Sequence, residues 1–289
     1  MFLNLIFNIE ILPYSKDKIL INKNFTSIGS QIFNEYKGYI MILEIFKDSL
    51  EYSFKKPKTI LKIGFLVFLS LFIVPQFLVN GYSYRITRIG VNGMINGNDP
   101  LPEFESWGKM FLEGVKIFIV RFIYLIPGTM IFLIFSSGIY SLTKFPGYGV
   151  LLIELGVIAI SIILWLIFYL LSIVAIPNMI YNKGSLKSAF KIKEILYIIK
   201  SIGVLKYIKF YTGCIVLILG ILAAVYLLIA LIGLISGLTL SAIIGPAGLG
   251  FSGVVIASIS IIVLIFIIAP FFMIFESRGI ALMYNTREN

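Results

Sequence analysis

The stretch of sequence that decides the fold is residues 210–275, FYTGCIVLILGILAAVYLLIALIGLISGLTLSAIIGPAGLGFSGVVIASISIIVLIFIIAPFFMIF, in which no side chain is charged. The hydrocarbon core of a bilayer needs about 20 apolar residues for each helical crossing, so this stretch is long enough for two crossings and a turn. Inside lipid every backbone N–H and C=O must be paired, which leaves helices or closed barrels. Barrel strands alternate polar and apolar residues, and this stretch does not. The sequence therefore predicts an all-α polytopic membrane protein, with a turn at Gly245-Pro246.

The composition of the whole chain agrees with burial in a membrane. Hydrophobic residues make up 59% of the chain and charged residues 13%, against about 45–50% and 25% in soluble domains. Histidine is absent and Cys214 is the single cysteine, which excludes Cys/His metal sites and Ser-His or Cys-His nucleophile pairs. We therefore expect no catalytic residue, no metal, no cofactor and no enzymatic activity. The net charge of +10 favours the lipid bilayer as a partner, with anionic headgroups, over nucleic acid.

Residues 1–40 never sustain an apolar span, and we interpret them as a poorly organised N-terminal extension. A signal peptide is not expected, because Asn4, Asn8 and Pro13 interrupt the apolar core that such a peptide needs. A start codon assigned too early would also explain this region. The remaining residues, 41–289, are predicted to form one helical transmembrane domain in the cell membrane, with a cytoplasmic N-terminus.

Five apolar helical segments are predicted in this domain. Four are clear spans, and the fifth is broken in its middle by a Pro-Gly pair. A polar loop is predicted over residues 81–108, where Asn-Gly and Asp-Pro give turn signals. The segments are residues 59–80, 109–142, 150–176 and the two halves of 210–275.

Basic amphipathic helices are predicted beside the spans. Apolar and charged residues recur at helical spacing over residues 43–54, and a lysine cluster follows directly. A second basic helix is expected within residues 183–209, lying on the membrane surface. The first lysine cluster is Lys55, Lys56 and Lys58; in the second helix Lys187, Lys191 and Lys193 face lipid, opposite an apolar arc of Ala189, Ile192, Leu196 and Ile199.

The broken segment, residues 109–142, leaves two topologies open. If it crosses as one helix kinked at Pro127-Gly128, a five-span zigzag places the two most basic regions on opposite sides of the membrane. If it enters and returns as two half-helices, both basic regions lie on one side, as the positive-inside rule favours. A weak repeat between residues 49–55 and 185–191, S-L-x-x-[SA]-F-K, also favours one side.

Arg121 and Glu154 are the ionisable residues that lie within apolar segments. Such residues are costly in a membrane and are candidate functional sites. Both also lie near a segment end, where they can reach the headgroups. In the five-span zigzag Glu276 would be a nearer partner for Arg121 than Glu154. Gly233 and Gly237 form a GxxxG pattern, which we expect to pack the last two segments together.

Several short motifs resemble the domain of unknown function 4013 family of prokaryotic multi-pass membrane proteins. The most specific is LPEFESW, and the likeness extends from about residue 43 to the C-terminus. The resemblance implies a polytopic membrane protein and brings no assigned activity, although it raises interest in Glu103, Phe104 and Trp107. The motifs are Gly81-Tyr82 with Arg85 and Arg88, LPEFESW (101–107), FLEG (111–114), IYLIP (123–127) and P-x-x-x-Y-x-x-G-S-L-x-x-A-F (177–190).

Two functions remain open from the sequence. The first is a non-enzymatic protein that organises lipid or a membrane partner, favoured by the basic interfacial helices. The alternative is a small transporter or channel that uses the broken helix around Pro127-Gly128, since discontinuous helices often line substrate sites.

Overall fold

The structure, a computed structural model, describes residues 23–142 and 148–287, with side chains for residues 38–135 and 152–287. The chain divides into two compact units, Met1–Ile40 and Met41–Asn289. Most of the predicted N-terminal extension lies outside the described residues. In the described ranges the helices are α1 (Lys23–Phe54), α2 (Pro57–Leu69), α3 (Val74–Asn92), α4 (Trp107–Leu142), α5 (Tyr148–Tyr181), α6 (Leu186–Ala189), α7 (Ile192–Ile202), α8 (Val204–Ile244), α9 (Ala247–Val263) and α10 (Ala269–Asn285), with a 3₁₀ turn at Ser70–Phe72 and a π-helical turn at Leu264–Ile268.

Within residues 23–142 and 148–287, four helical stretches are long and apolar enough to cross a membrane. The shortest has 29 residues, which is about 43 Å at 1.5 Å per residue and exceeds the ~30 Å hydrocarbon core. The chain is therefore an all-α polytopic membrane protein, and the predicted fold class is confirmed. The four stretches are Trp107–Phe135, Leu152–Tyr181, Val204–Ile244 and Ala247–Asn285.

The uncharged stretch forms a helical hairpin of α8 and α9. Its turn lies at Gly245, whose φ of +73° suits glycine. The two helices approach closely at small residues: a Cβ placed on Gly233 would lie 2.7 Å from Ile256 Cδ1, and one on Gly237 would lie 2.9 Å from Ser252 Oγ. Both glycines of the GxxxG pattern thus face α9.

Helix α4 runs without a break through Pro127-Gly128. Of the two topologies left open for residues 109–142, the structure has the single continuous helix, and the re-entrant alternative is wrong for this segment. Trp165 of α5 packs directly over Gly128, where a Cβ would lie 2.3 Å from Trp165 Cδ1. The Trp165 indole also donates a hydrogen bond to Thr129 Oγ1 at 3.2 Å. Packing by a neighbouring helix allows a proline inside a membrane helix.

The break occurs instead in the first apolar segment, where one span over residues 59–80 was expected. Helix α2 ends at Leu69, and after a 3₁₀ turn the chain restarts as α3 at Val74. Ile73 between them has a φ of +60°, which is rare for a β-branched residue. Pro75 follows in the first turn of α3, where its missing N–H costs least. This segment is therefore two helices and not one span.

Helices α2 and α3 form a hairpin against the last helical stretch, Leu264–Asn285. Gly64 and Phe68 of α2 contact Phe266, while Phe54, just before α2, contacts Phe271. As α2 advances, its partners on the last helical stretch therefore have lower residue numbers, so the two helices are antiparallel. Along α3 the contacts move the other way: Ser83 Oγ lies 2.7 Å from Ser277 Oγ, and Gly90 faces Ala281. The chain thus reverses at the apolar, exposed tip formed by Leu71, Phe72 and Ile73.

Helix α3 also replaces half of the loop predicted over residues 81–108. The prediction of a loop was wrong because several polar side chains of this helix, such as Ser83, Arg85 and Thr87, are buried and hydrogen-bonded within the fold. Thr87 Oγ1 donates a hydrogen bond to the backbone oxygen of Ser83. Gly81 lets α4 approach, since a Cβ there would lie 1.9 Å from the Met110 backbone oxygen. Only residues 93–106 remain as a loop.

Candidate functional site

The charged side chains lie at one end of the helices. Between Phe122 and Asn182 the sequence carries only Lys144 and Glu154, and residues 210–275 carry none. The rest of the described charges lie in α1, α6, α7 and the 93–106 loop, near the starts of α2, α4 and α8, and towards the ends of α3, α5 and α10. We call this region the basic end. Lys144 lies outside the described residues. The basic end is held together by two buried arginine clusters.

Arg278 of α10 is the centre of the first cluster and is completely buried (0% exposed). Its Nε donates to Asp48 Oδ1 at 2.8 Å, its Nη1 to Asp99 Oδ2 at 2.8 Å, and its Nη2 to the Met94 backbone oxygen at 3.3 Å. The guanidinium carbon also lies 4.9 Å from the centre of the Tyr52 ring. Burial raises the pKa of the Tyr52 hydroxyl, and the Arg278 charge opposes this. The cluster joins α1, the 93–106 loop and α10.

Arg85 of α3 forms the second cluster with Glu113 of α4. Its Nε donates to Glu113 Oε2 at 2.9 Å, while Arg88 Nη1 donates to Glu113 Oε1 at 3.2 Å. The Nη1 of Arg85 also donates to the backbone oxygens of Glu103 and Glu105, at 3.1 and 2.7 Å. A buried arginine that satisfies several acceptors fixes their positions. Arg85 therefore holds the Pro102–Glu105 backbone in place.

A cavity of about 590 Å³ lies between this held loop and the start of α2. Its volume falls within the range of small-molecule sites. One wall carries ammonium groups and the first turn of α2, a helix end that favours anions. The other wall carries two carboxylates and an aromatic ring. The first wall is Lys55, Lys56, Pro57, Lys58, Thr59 and Lys62, and the second is Pro102, Glu103, Phe104 and Glu105.

The lysines of the cavity differ in their partners. Lys55 Nζ donates to Asn98 Oδ1 at 2.9 Å and to the Asp99 backbone oxygen at 2.7 Å. Lys62 Nζ lies 5.6 Å from the centre of the Phe104 ring. Among the described residues, Lys56 and Lys58 form no hydrogen bond or ion pair. Their charges are therefore available to a ligand.

An apolar stripe continues from the cavity along α2. Leu61, Phe65 and Phe68 follow Lys58 at helical spacing and are each about half exposed, at 55%, 54% and 44%. Lys62 lies on the same face. The surface of α2 thus changes from basic to apolar within about two turns.

The family comparison bears on the same region. A family model described as "Protein of unknown function (DUF4013)" matches residues 65–234, more than half of the chain. The chain belongs to this family. No curated protein and no solved structure matches it. The DUF4013 match includes the Pro102–Glu105 wall of the cavity and both partners of the Arg85 cluster, but begins after Lys62. The lysine wall is therefore a feature of this chain that the family match does not cover.

The residues emphasised from the LPEFESW motif lie beside the cavity. Glu103 and Phe104 line it, and Phe104 stacks on Tyr82 with ring centres 4.6 Å apart. Trp107 begins α4, is half exposed, and lies 5.9 Å from Phe104. These DUF4013 motif residues thus form one connected patch at the start of α4.

The second predicted basic surface, on α6 and α7, has a different buried face from the one expected. Helix α7 buries Ile195, Ile198 and Ile202, whereas Ile192 and Leu196 of the predicted apolar arc are exposed. Ala189 of that arc is buried and Ile199 is partly buried, so the prediction is wrong for Ile192 and Leu196. The reason is that α7 packs against α5 and α10 and not only against lipid. Lys187, Lys191 and Lys193 are exposed, and Lys191 Nζ lies 3.1 Å from Glu194 Oε2.

Glu194 connects this surface to the bundle. Its Oε1 accepts a hydrogen bond from Asn178 Nδ2 at 3.1 Å, and Asn178 Oδ1 accepts one from Tyr284. Hydrogen bonds from Lys191 and Asn178 lower the pKa of the Glu194 carboxyl. The ionised form of Glu194 therefore helps to hold α7 against α5.

Arg121 and Glu154 do not form a joint site. Glu154 is exposed on α5, and neither residue forms a hydrogen bond or ion pair with any described residue. Arg121 is half-buried and acts electrostatically on the Tyr169 hydroxyl, which donates to Glu276 Oε1 at 3.2 Å. The structure thus places Arg121 and Glu276 near one tyrosine without a direct ion pair.

Sequence reasoning missed the two arginine clusters as parts of the site. Arg85, Arg88 and Glu113 stood in the DUF4013 motifs, where the i,i+3 spacing of the arginines was the available signal. Arg278 had no comparable signal, since its partners Asp48 and Asp99 lie far away in the sequence. The cavity lysines were noted only as a cytoplasmic flank.

Proposed function

We propose that this protein is a non-enzymatic membrane protein that binds and organises anionic lipid at its basic end. One observation carries the proposal: a cavity opens where α2 begins its apolar stripe, and two of its lysines, Lys56 and Lys58, pair with no described residue. Basic groups at the membrane surface each contribute about 1 kcal/mol to the binding of anionic lipid. Three further exposed lysines around α6 and the start of α7, Lys187, Lys191 and Lys193, extend the same basic surface.

The proposal includes an orientation. The positive-inside rule assigns the basic end to the cytoplasm. The α2–α3 hairpin would then enter the bilayer from the cytoplasmic side and return, since α2 with 13 residues spans only about 20 Å. The four long helices would cross, and both Lys144 and the Gly245 turn would face outwards.

The transporter alternative loses its main support. It rested on a helix broken at Pro127-Gly128, and α4 is continuous there. No other observation on α4 favours transport over lipid binding.

Lipid retention tests the proposal directly. Full-length protein in detergent is incubated with equal amounts of phosphatidylserine, phosphatidylglycerol and phosphatidylcholine that share the same acyl chains, and bound lipids are counted by native mass spectrometry. The number of bound anionic lipids, phosphatidylserine plus phosphatidylglycerol, should exceed the number of bound phosphatidylcholine molecules by more than the twofold excess of anionic lipid in the mixture. Lys56→Ala with Lys58→Ala should weaken anionic binding about 30-fold, from about 2 kcal/mol in total. Equal retention of anionic and zwitterionic lipid by the unmodified protein would refute the proposal.

A matched control separates the cavity from net charge. Lys47→Ala with Lys200→Ala also removes two exposed positive charges, but neither residue lines the cavity. This variant should lose less than threefold in anionic binding at physiological salt, because screened charges act only over about 8 Å. If it loses as much as the cavity variant, general charge and not the cavity holds the lipid.

A further inference from the structure

We infer that the cavity takes one phospholipid whose headgroup carries both a phosphate and free hydroxyl groups, that is, a polyol phospholipid such as phosphatidylglycerol. The inference rests on the proposed lipid binding and names its ligand. Its basis is the placement of two carboxylates across the cavity from the lysines.

The two charged walls do not close on each other. In the part of the chain that the structure describes, no cavity lysine forms an ion pair with Glu103 or Glu105. Arg85 holds the backbone of both glutamates, so the loop that carries the two carboxylates is fixed opposite Lys56 and Lys58. The intervening space of about 590 Å³ separates groups of opposite charge.

The lysine wall suits the phosphate of the ligand. Ammonium groups bind phosphate as point charges, and Lys56 and Lys58 have no described partner of their own. The first turn of α2, at Pro57, adds the partial positive charge of a helix N-terminus.

The carboxylate wall selects what is attached to that phosphate. An ionised carboxylate can only accept hydrogen bonds, so Glu103 and Glu105 favour a headgroup with hydroxyl donors. They repel a second anionic group, such as the carboxylate of phosphatidylserine. A cavity of lysines alone would not discriminate between these lipids.

The apolar stripe of α2 indicates that the phosphate belongs to a lipid. Leu61, Phe65 and Phe68 extend from the lysine wall along the same helix face and are about half exposed. An acyl chain on this stripe would keep the headgroup at the cavity mouth. A free phosphate ester such as glycerol 3-phosphate has the same headgroup chemistry but no group for this stripe.

Competition between lipids tests the inference. With full-length protein and native mass spectrometry, phosphatidylglycerol should bind at least about tenfold more tightly than phosphatidylserine of the same acyl chains, in one copy per protein. In Glu103→Ala with Glu105→Ala this ratio should fall to about one, mainly because phosphatidylserine binds better. Equal binding of both lipids to the unmodified protein would overturn the inference while leaving the proposed function intact. No preference for either anionic lipid over phosphatidylcholine would instead overturn the proposed function.

A second arm distinguishes the lipid from a soluble phosphate ester. Glycerol 3-phosphate should displace phosphatidylglycerol only at concentrations at least about a hundredfold higher. Phe65→Ala should weaken the binding of long-chain phosphatidylglycerol several-fold and leave the binding of glycerol 3-phosphate unchanged. Equal potency of the soluble ester would overturn the assignment to a lipid. The thermal unfolding midpoint of each exposed-site variant, measured alongside, confirms that it is folded.

Discussion

The burial of Arg278 leads to a specific prediction about stability. Replacing it with methionine removes a charge that neutralises two carboxylates, of which Asp48 is itself buried. A buried ion pair that loses one partner typically costs about 3–5 kcal/mol, because the remaining charge is left uncompensated. Arg278→Met should therefore lower the free energy of unfolding by about 3–5 kcal/mol. The quantity can be measured by unfolding the purified protein in mixed micelles with increasing SDS, followed by circular dichroism.

Arg88→Met is the matched control for this change. The Arg88 side chain is 46% exposed, and its partner Glu113 keeps its hydrogen bond to Arg85 when Arg88 is lost. Partly exposed ion pairs of this kind contribute at most about 1 kcal/mol. The two variants carry the same substitution and the same change in charge, so the difference between them reports burial and compensation.

The physical reason for the loss can be checked separately. If the uncompensated charge causes it, adding Asp48→Asn to Arg278→Met should restore part of the stability, although the second substitution removes another native side chain. An asparagine at position 48 can still accept the hydrogen bond from the Asn96 backbone N–H. A double variant less stable than Arg278→Met, or equal losses in Arg278→Met and Arg88→Met, would refute the reasoning.

Three other features give testable predictions. Gly114→Ala should lower the free energy of unfolding in SDS by at least about 2 kcal/mol, because the added Cβ would lie 1.7 Å from a backbone oxygen of α3. Gly108→Ala, where nothing lies within 4 Å of the added Cβ, should raise it by up to about 1 kcal/mol. Equal effects of the two substitutions would contradict the close packing of α4 on α3. Because the pKa of Glu194 is lowered, its contribution is complete above the ordinary carboxyl pKa and is lost as the pH falls through the lowered value. The rate of amide hydrogen exchange in α7, corrected for the intrinsic pH dependence, should therefore rise in acid in the unmodified protein and stay constant in Glu194→Gln. The same rise in both proteins would exclude Glu194 as the cause. Lys144→Cys in a Cys214→Ser background should react with a membrane-impermeant thiol reagent only from outside the cell, and reaction from the cytoplasmic side would contradict the proposed topology.

The membrane class and the last helical hairpin could be predicted from the sequence because their signals are local. The absence of charge over residues 210–275 identifies a membrane region whatever the rest of the chain does. The small residues Gly233 and Gly237 lie on the face that packs against α9. Such features depend on neighbours within a few turns or on the next helix along the chain.

The position of the helix break could not be predicted, because two prolines gave the same local signal. Pro127 lies inside a continuous helix, where Trp165 packs over Gly128. Pro75 follows a true break, where Ile73 has a positive φ and α2 packs against Phe266 instead of extending. Both outcomes depend on helices that lie far away in the sequence. The same limit applies to Arg278, which is paired with a carboxylate 230 positions earlier.

The chain reverses direction in the α2–α3 hairpin and not within residues 109–142. This reversal resolves the difficulty of the five-span zigzag, which placed the two most basic regions on opposite sides of the membrane. With a return at the hairpin, α4 leaves the basic end, α5 comes back to it, α8 leaves and α9–α10 come back. The basic regions around Lys58 and Lys187 then share one end of the helices, as the Arg85 cluster and the Lys116 contact to Gly184 require. A five-span zigzag would pull these groups apart across the bilayer. The α2–α3 hairpin therefore also forms the cavity, because it places the lysine wall of α2 beside the Pro102–Glu105 loop.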